Sequence, residues 1–294
     1  MIGRIIDVDG VRHWVKVEGT GRPVVVFESA IGDVGLTWGL VQPGISETTT
    51  TFAHDRPGLG ASDSVSGPRV ASSMVEELRG ALASAALKPP YVLVGHSFAS
   101  LTVRAFAHRF PGEVVGLVLV DGAHEDQTSR FPPELDSESM LAGVGPQLRE
   151  LAREALGGET VPVLTPVPED FPETLADAYR EATAPTPSRL ESAAGEYDGL
   201  PQSQEELREL SVRGHGNLPL LVLRHGVPQP MTGVSSEVNQ RYEETWRQLQ
   251  FELAARSTRG DVRVADGAGH MIHHERPDLV INAIRDAITR AQTD

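Results

Sequence analysis

The chain has 294 residues, no cysteine, and 26 Lys and Arg against 41 Asp and Glu, which leaves a formal charge of −15. A surface this acidic repels phosphate backbones and anionic lipid headgroups, so nucleic-acid and membrane partners are not expected and a neutral or apolar small molecule is. Without Cys there is no disulfide framework, thiolate metal site or thiol nucleophile. No apolar run reaches the roughly 18 residues of a membrane span, and residues 1–7 carry no cationic-then-apolar leader. The expectation is a soluble, cytoplasmic protein without a cofactor, with a homodimer left open.

In chain order, short apolar and β-branched runs over residues 2–6, 11–17, 24–28, 48–54, 91–95, 114–121, 218–224 and 262–265 predict strands. Several are apolar at consecutive positions, as in Val24-Val25-Val26-Phe27 and Leu117-Val118-Leu119-Val120, which a sheet covered on both faces requires. Helical spacing marks residues 70–87 (Met74, Leu78 and Leu82), 98–109 (Leu101, Ala105 and Phe106) and 277–291 (Ile281, Ile284 and Ile288). The alternation predicts an α/β fold, a doubly wound and mostly parallel sheet. It breaks over residues 125–216, a stretch rich in Pro, Glu and Ala with amphipathic pieces at 134–156 and 171–184. A folded helical cap inserted into a core of residues 1–124 and 217–294 accounts for that break.

At the end of the 91–95 strand stands Gly95-His96-Ser97-Phe98-Ala99, followed at once by a helix. A strand-to-helix turn this tight strains the central residue and demands small neighbours two positions to either side. Gly95 and Ala99 meet the demand, and the alternative is that Ser97 only caps the helix that follows. Here Tyr91-Val92-Leu93-Val94-Gly95-His96-Ser97 resembles the nucleophile elbow of the α/β-hydrolase superfamily, and Asp55-Arg56-Pro57-Gly58-Leu59-Gly60-Ala61-Ser62 is similar to the loop those enzymes carry after the preceding strand. Val118-Leu119-Val120-Asp121, Gly267-Ala268-Gly269-His270 and Arg276-Pro277-Asp278 continue the likeness in order. The resemblance covers the chain outside the insertion, which it equates with a cap domain. Ala99 departs from the family's more frequent Gly.

Serine needs an imidazole within hydrogen-bond reach to act as a nucleophile. Of ten histidines, His270 follows the last strand in a Gly-flanked loop and matches the family's catalytic base, with His273 and His274 as nearby alternatives. His96 is expected to pack beside the nucleophile, and His54 to be structural. The triad also needs a carboxylate. The resemblance places one after the 218–224 strand, yet residues 225–236 contain neither Asp nor Glu, and Glu237 opens a helix. The alternative is Asp121 at the tip of the preceding strand, a position some subfamilies use, with Glu125 and Asp126 as weaker substitutes. For the oxyanion hole, one donor is the N–H of Phe98. The resemblance puts the second at Ile31 in Ser29-Ala30-Ile31-Gly32, with Ala30 as its neighbour.

The function these residues imply is a serine hydrolase that cleaves a carboxylic ester, lactone or thioester through an acyl-enzyme. Haloalkane dehalogenases and epoxide hydrolases share the fold but carry Asp where this chain has Ser97. A cofactor-free perhydrolase or carbon–carbon hydrolase would use the same triad, and a small-molecule receptor that turns over negligibly remains the non-enzymatic alternative. No metal site is expected, since His273-His274-Glu275 are adjacent and cannot converge on one ion.

Overall fold

The computed structural model describes residues 2–65 and 69–293. Its strands are β1 (Arg4–Val8), β2 (Val11–Glu18), β3 (Val24–Glu28), β4 (Thr51–His54), β5 (Tyr91–His96), β6 (Val114–Val120), β7 (Leu220–His225) and β8 (Gly260–Ala265). They form one eight-stranded sheet in the order β1-β2-β4-β3-β5-β6-β7-β8. The pairings β1–β2 and β2–β4 are antiparallel and all the others are parallel.

The helices are α1 (Gln42–Ser46), α2 (Ala71–Ser84), α3 (Ala99–Arg109), α4 (Gln127–Arg130), α5 (Ser137–Leu156), α6 (Glu173–Ala182), α7 (Pro187–Ser211), α8 (Ser236–Ala255), α9 (Ile272–Glu275) and α10 (Pro277–Ala291). The consecutive apolar residues divide between two cores because successive side chains in a strand point to opposite faces. Val24, Val26, Leu93, Leu117, Leu119 and Val222 pack with Leu78 and Leu82 of α2 and Phe106 of α3. Val25, Phe27, Val92, Val94, Val118 and Val120 pack on the other face with Val280, Ile284 and Ala287 of α10.

Strand limits differ from the sequence expectation where local hydrogen bonds compete. β4 begins at Thr51 because the N–H groups of Thr48 and Thr49 turn back to Ile45 O (3.0 and 3.3 Å). β1 starts two residues later than expected, and Ile2 instead accepts the Trp14 indole N–H (3.2 Å). β6 stops at Val120, since Asp121 adopts a left-handed φ of 45°.

Between β6 and β7 the described residues form α4 to α7, a short 3-10 turn (Pro133–Leu135), and no strand. Apolar contacts from α6 and α7 join the segment to the rest of the fold. Tyr179 of α6 is fully buried against Val34, Leu36 and Leu59 and donates to Asp33 (3.3 Å). Along α7, Leu190, Ala193 and Ala194 meet Leu148 and Ala152 of α5, whereas Leu200 and Leu207 enter the core beside α2 and α3. No helix among the described residues is long and apolar enough to cross a membrane.

Candidate active site

Ser97 sits between the end of β5 and the start of α3 with φ = 52°. Its N–H donates to Val120 O (3.0 Å), and its carbonyl accepts from Ser100 N–H (3.0 Å) and Ala123 N–H (2.9 Å), so the strained turn is over-determined. The small-residue demand is physical: a Cβ added to Gly95 would stand 2.8 Å from Val103 Cγ2 and 2.9 Å from Ala99 O. Because His96 pairs with Val120 in register, Ser97 and Asp121 occupy equivalent positions just beyond the tips of neighbouring strands.

Asp121 is fully buried and its two oxygens accept four donors. Oδ1 takes Trp246 Nε1–H (2.9 Å) and the His225 backbone N–H (3.1 Å). Oδ2 takes the Nδ1 atoms of His270 (2.6 Å) and His225 (2.8 Å). Burial alone would raise the pKa of this carboxyl, but the hydrogen bonds from His225 and His270, with their charges, outweigh it and hold Asp121 well below the ordinary carboxylate range.

His270 follows β8 and is partly exposed. With Nδ1 committed to Asp121, its Nε2 is the nitrogen free to exchange a proton. Its ring lies against His96 (centroids 4.7 Å apart), and its carbonyl accepts from His96 Nε2 (3.0 Å). His96 is wholly buried, and desolvation followed by the neighbouring His270 keeps its pKa well below that of a free imidazole. His96 is thus a neutral spacer between the β5 tip and the His270 loop. His273 and His274 do not reach the Asp121 cluster, and their Nε2 atoms meet Thr37 Oγ1 (3.0 and 2.8 Å). His54 pairs with Glu28.

The carboxylates considered as alternatives to Asp121 are engaged elsewhere. Glu125 binds Arg104 (2.7 Å) and Arg256 (3.0 Å), Asp126 binds Arg208 (2.8 Å), and Glu237 is exposed in the first turn of α8.

His225 is the residue that sequence reasoning missed. It closes β7, where the resemblance placed an acid, and bridges Asp121 Oδ2 to Glu243 Oε2 (2.8 Å on each side). Burial works against its cationic form, but Asp121 and then Glu243 more than offset that and push its pKa up to about 9. At neutral pH His225 is therefore the cationic link between Asp121 and Glu243. The available signal was a titratable side chain at a strand tip in the place of the expected acid.

Phe98 is buried and Ile31 partly so. Ile31 also lines a cavity of about 340 Å³ with Leu148, Leu151, Leu164, Leu190 and Tyr197, between the loop after β3 and helices α5 and α7.

A mostly parallel doubly wound sheet, a strained Ser at a strand-to-helix turn and an Asp–His pair brought together from beyond the ends of β6 and β8 define an α/β-hydrolase scaffold. The chain belongs to the alpha/beta hydrolase family, whose model matches residues 25–283. It is 25% identical over 276 residues to YqjL, an uncharacterized protein of Bacillus subtilis, covering 93% of this chain and 87% of that one. Among solved structures, DBJA is similar at a TM-score of 0.73 with 18% identity, covering 99% of this chain and 98% of that one. A thermophilic esterase from Thermogutta terrifontis is similar at a TM-score of 0.65 with 20% identity, covering 99% of both chains. At such identities the structural likeness speaks for the fold, and the chemistry has to be argued from the site.

Proposed function

We propose that this protein is a serine hydrolase acting on a carboxylic ester of a neutral or apolar small molecule, with lactones and thioesters as the neighbouring substrate classes. The observation that carries the reading is the 2.6 Å contact of His270 Nδ1 with buried Asp121, beside a Ser97 held at φ = 52° on the adjoining strand tip. In the first half-reaction Ser97 Oγ attacks the acyl carbon while its proton passes to His270 Nε2. The N–H groups of Phe98 and Ile31 hold the oxyanion, and His270 then protonates the leaving alkoxide, which departs as the alcohol. In the second, water gives its proton to His270 and attacks the acyl-enzyme, and the proton returns to Ser97 Oγ as the acid leaves. Asp121 stays ionised throughout and stabilises the imidazolium.

The leucines lining the cavity beside Ile31 offer an apolar wall for an acyl chain, with Gln147, Thr165 and Arg189 as polar groups in the same lining, and the cap role of residues 125–216 belongs to the same proposal because α5 and α7 form its far wall. A shared fold with an esterase supports only that the scaffold tolerates ester chemistry. Neither half-reaction calls for a metal or cofactor.

The test is a panel of p-nitrophenyl esters of graded acyl length, with a few lactones, assayed on the wild-type protein and on Ser97→Ala. Ester turnover should fall by about a millionfold in the variant with the thermal melt unchanged. Activity within tenfold of wild type in Ser97→Ala would remove the assignment.

A further inference from the structure

The loop after β3 is tied to α7 by a buried ion network that the acyl-transfer scheme leaves unexplained. Arg56, 3% exposed, donates Nη1 to Ser29 O (2.7 Å) and Nη2 to Ala30 O (2.6 Å). The same guanidinium grips fully buried Glu196 of α7 through Nε to Oε1 (2.7 Å) and Nη2 to Oε2 (2.9 Å). Its Nη1 also reaches Glu28 Oε2 (3.2 Å) at the end of β3. Glu196 Oε2 in turn accepts the Gly32 N–H (2.7 Å), and Arg189 of α7 donates Nη2 to Gly32 O (3.1 Å), so both polar groups of Gly32 are held by one helix.

These contacts decide which loop N–H groups are free. Asp33 N–H donates to Ala30 O (3.1 Å), closing a β-turn whose third residue, Gly32, has the φ of 67° that a type II turn demands. In a trans peptide the C=O and N–H point in opposite directions. With the Ala30 carbonyl pinned to Arg56 and to Asp33, the Ile31 N–H is turned away from the guanidinium. The Gly32 N–H, the neighbouring donor that could compete for an oxyanion, is spent on Glu196. Arg56 also stands 5.9 Å from the ring centre of Phe98, whose own N–H is the other proposed donor.

An ion pair this deeply buried is poorly explained as a stabilising device, because desolvation cancels most of its attraction and an apolar pair of the same volume would serve stability as well. What an apolar pair could not do is orient two carbonyls and occupy one N–H at the same time.

We propose that Arg56 and Glu196 are positioning residues that set the oxyanion hole, so that α7 determines whether the Ile31 N–H is aimed for acyl transfer. This rests on the serine-hydrolase reading, and the two fail in different ways. If the wild-type protein turns over no ester, lactone or thioester, the reading itself fails. If the wild type is active and Ser97→Ala is not, the reading stands and Glu196→Gln tests the clamp.

Rates are normalised to active sites titrated by a fluorophosphonate burst, so that a merely structural loss of folded protein does not register. The clamp predicts that Glu196→Gln lowers kcat by about a hundredfold, within the range for removing one oxyanion donor, with KM within about threefold of wild type. Affinity for a trifluoromethyl ketone, whose tetrahedral adduct carries the oxyanion, should fall in parallel with kcat/KM. Should Glu196→Gln not fold, Glu196→Asp retains the charge beside Arg56 but falls one methylene short of Gly32 N–H, and about a tenfold loss of kcat with unchanged KM is expected. Unchanged kcat per titrated site together with unchanged ketone affinity, in whichever variant folds, overturns the clamp.

Discussion

At the tips of β5 to β7 the side chains of His96, Asp121 and His225 are buried, whereas along α5 and α7 most ionisable groups are paired in water. Asp121 is fully buried with four donors. Arg149 and Asp198, in contrast, pair at side-chain exposures of 36 and 49%, and Arg153 and Glu150 at 67 and 55%. A pair exposed to that degree contributes only about 0–1 kcal/mol, so the helical segment is not fastened by its many ion pairs. It is fastened by Tyr179, Leu200 and Leu207, and by Glu196, the one carboxylate of α7 that is completely buried. Charge at the strand tips is shared among several buried partners, whereas charge on the outer helix faces meets water.

The comparison breaks most visibly at the buried acid. Asp121→Asn should lower kcat by at least a hundredfold and by as much as about ten-thousandfold, the cost of the equivalent change in the chymotrypsin-type enzyme from which that figure comes. Glu237→Gln, exposed at the start of α8 where a carboxylate is worth about 0.3–1 kcal/mol to the helix, should remain within a few-fold of wild type in an ester assay. The opposite pattern would relocate the acid to the far side of β7.

Packing gives a second contrast. Leu207→Ala, at a fully buried position of α7, should cost about 2–5 kcal/mol in denaturant unfolding. Leu156→Ala, at a residue 74% exposed, should stay within about 0.5 kcal/mol. Equal effects would mean that α7 is not part of the core.

The smallest expected effect concerns His225. Its pKa of about 9 lies above the 6.5 of a free imidazole, so the folded state binds the proton more tightly. The stability this supplies is complete below pH 6.5 and is lost as pH rises through about 9. One remaining imidazole proton cannot serve both Asp121 and Glu243, so the bridge opens on one side. The unfolding midpoint should therefore fall between pH 7.5 and 10, and His225→Asn should flatten that slope. An identical slope in the variant would assign the titration to another group.

How much of this was legible in the sequence follows from the range of the forces involved. The strands were readable because two-faced burial forces consecutive apolar residues, and Ser97 because a strained turn excludes large neighbours. His270 and Asp121 could be nominated because parallel strands deliver their C-terminal ends to one edge. α7 was not legible. It carries Gly195, Gly199 and Pro201, which read as breakers, yet a Cβ at Gly199 would come within 2.1 Å of Arg69 O, so that glycine allows two backbones to touch. Arg56 stood inside a recognised motif without a role, since its partner Glu196 is 140 residues away. His225 was passed over for a related reason: its two carboxylate partners come from the turn after β6 and from α8, and no local pattern announces a bridge between them.

The central claim is that Ser97 is the activated nucleophile of an acyl-transfer site, and intact-protein mass spectrometry with a fluorophosphonate tests it most directly. The account predicts a single adduct, mapped by proteolysis to the peptide containing Ser97, lost in Ser97→Ala and formed at least a hundredfold more slowly in Asp121→Asn. No adduct on folded wild-type protein, or an adduct that persists in Ser97→Ala, would contradict it.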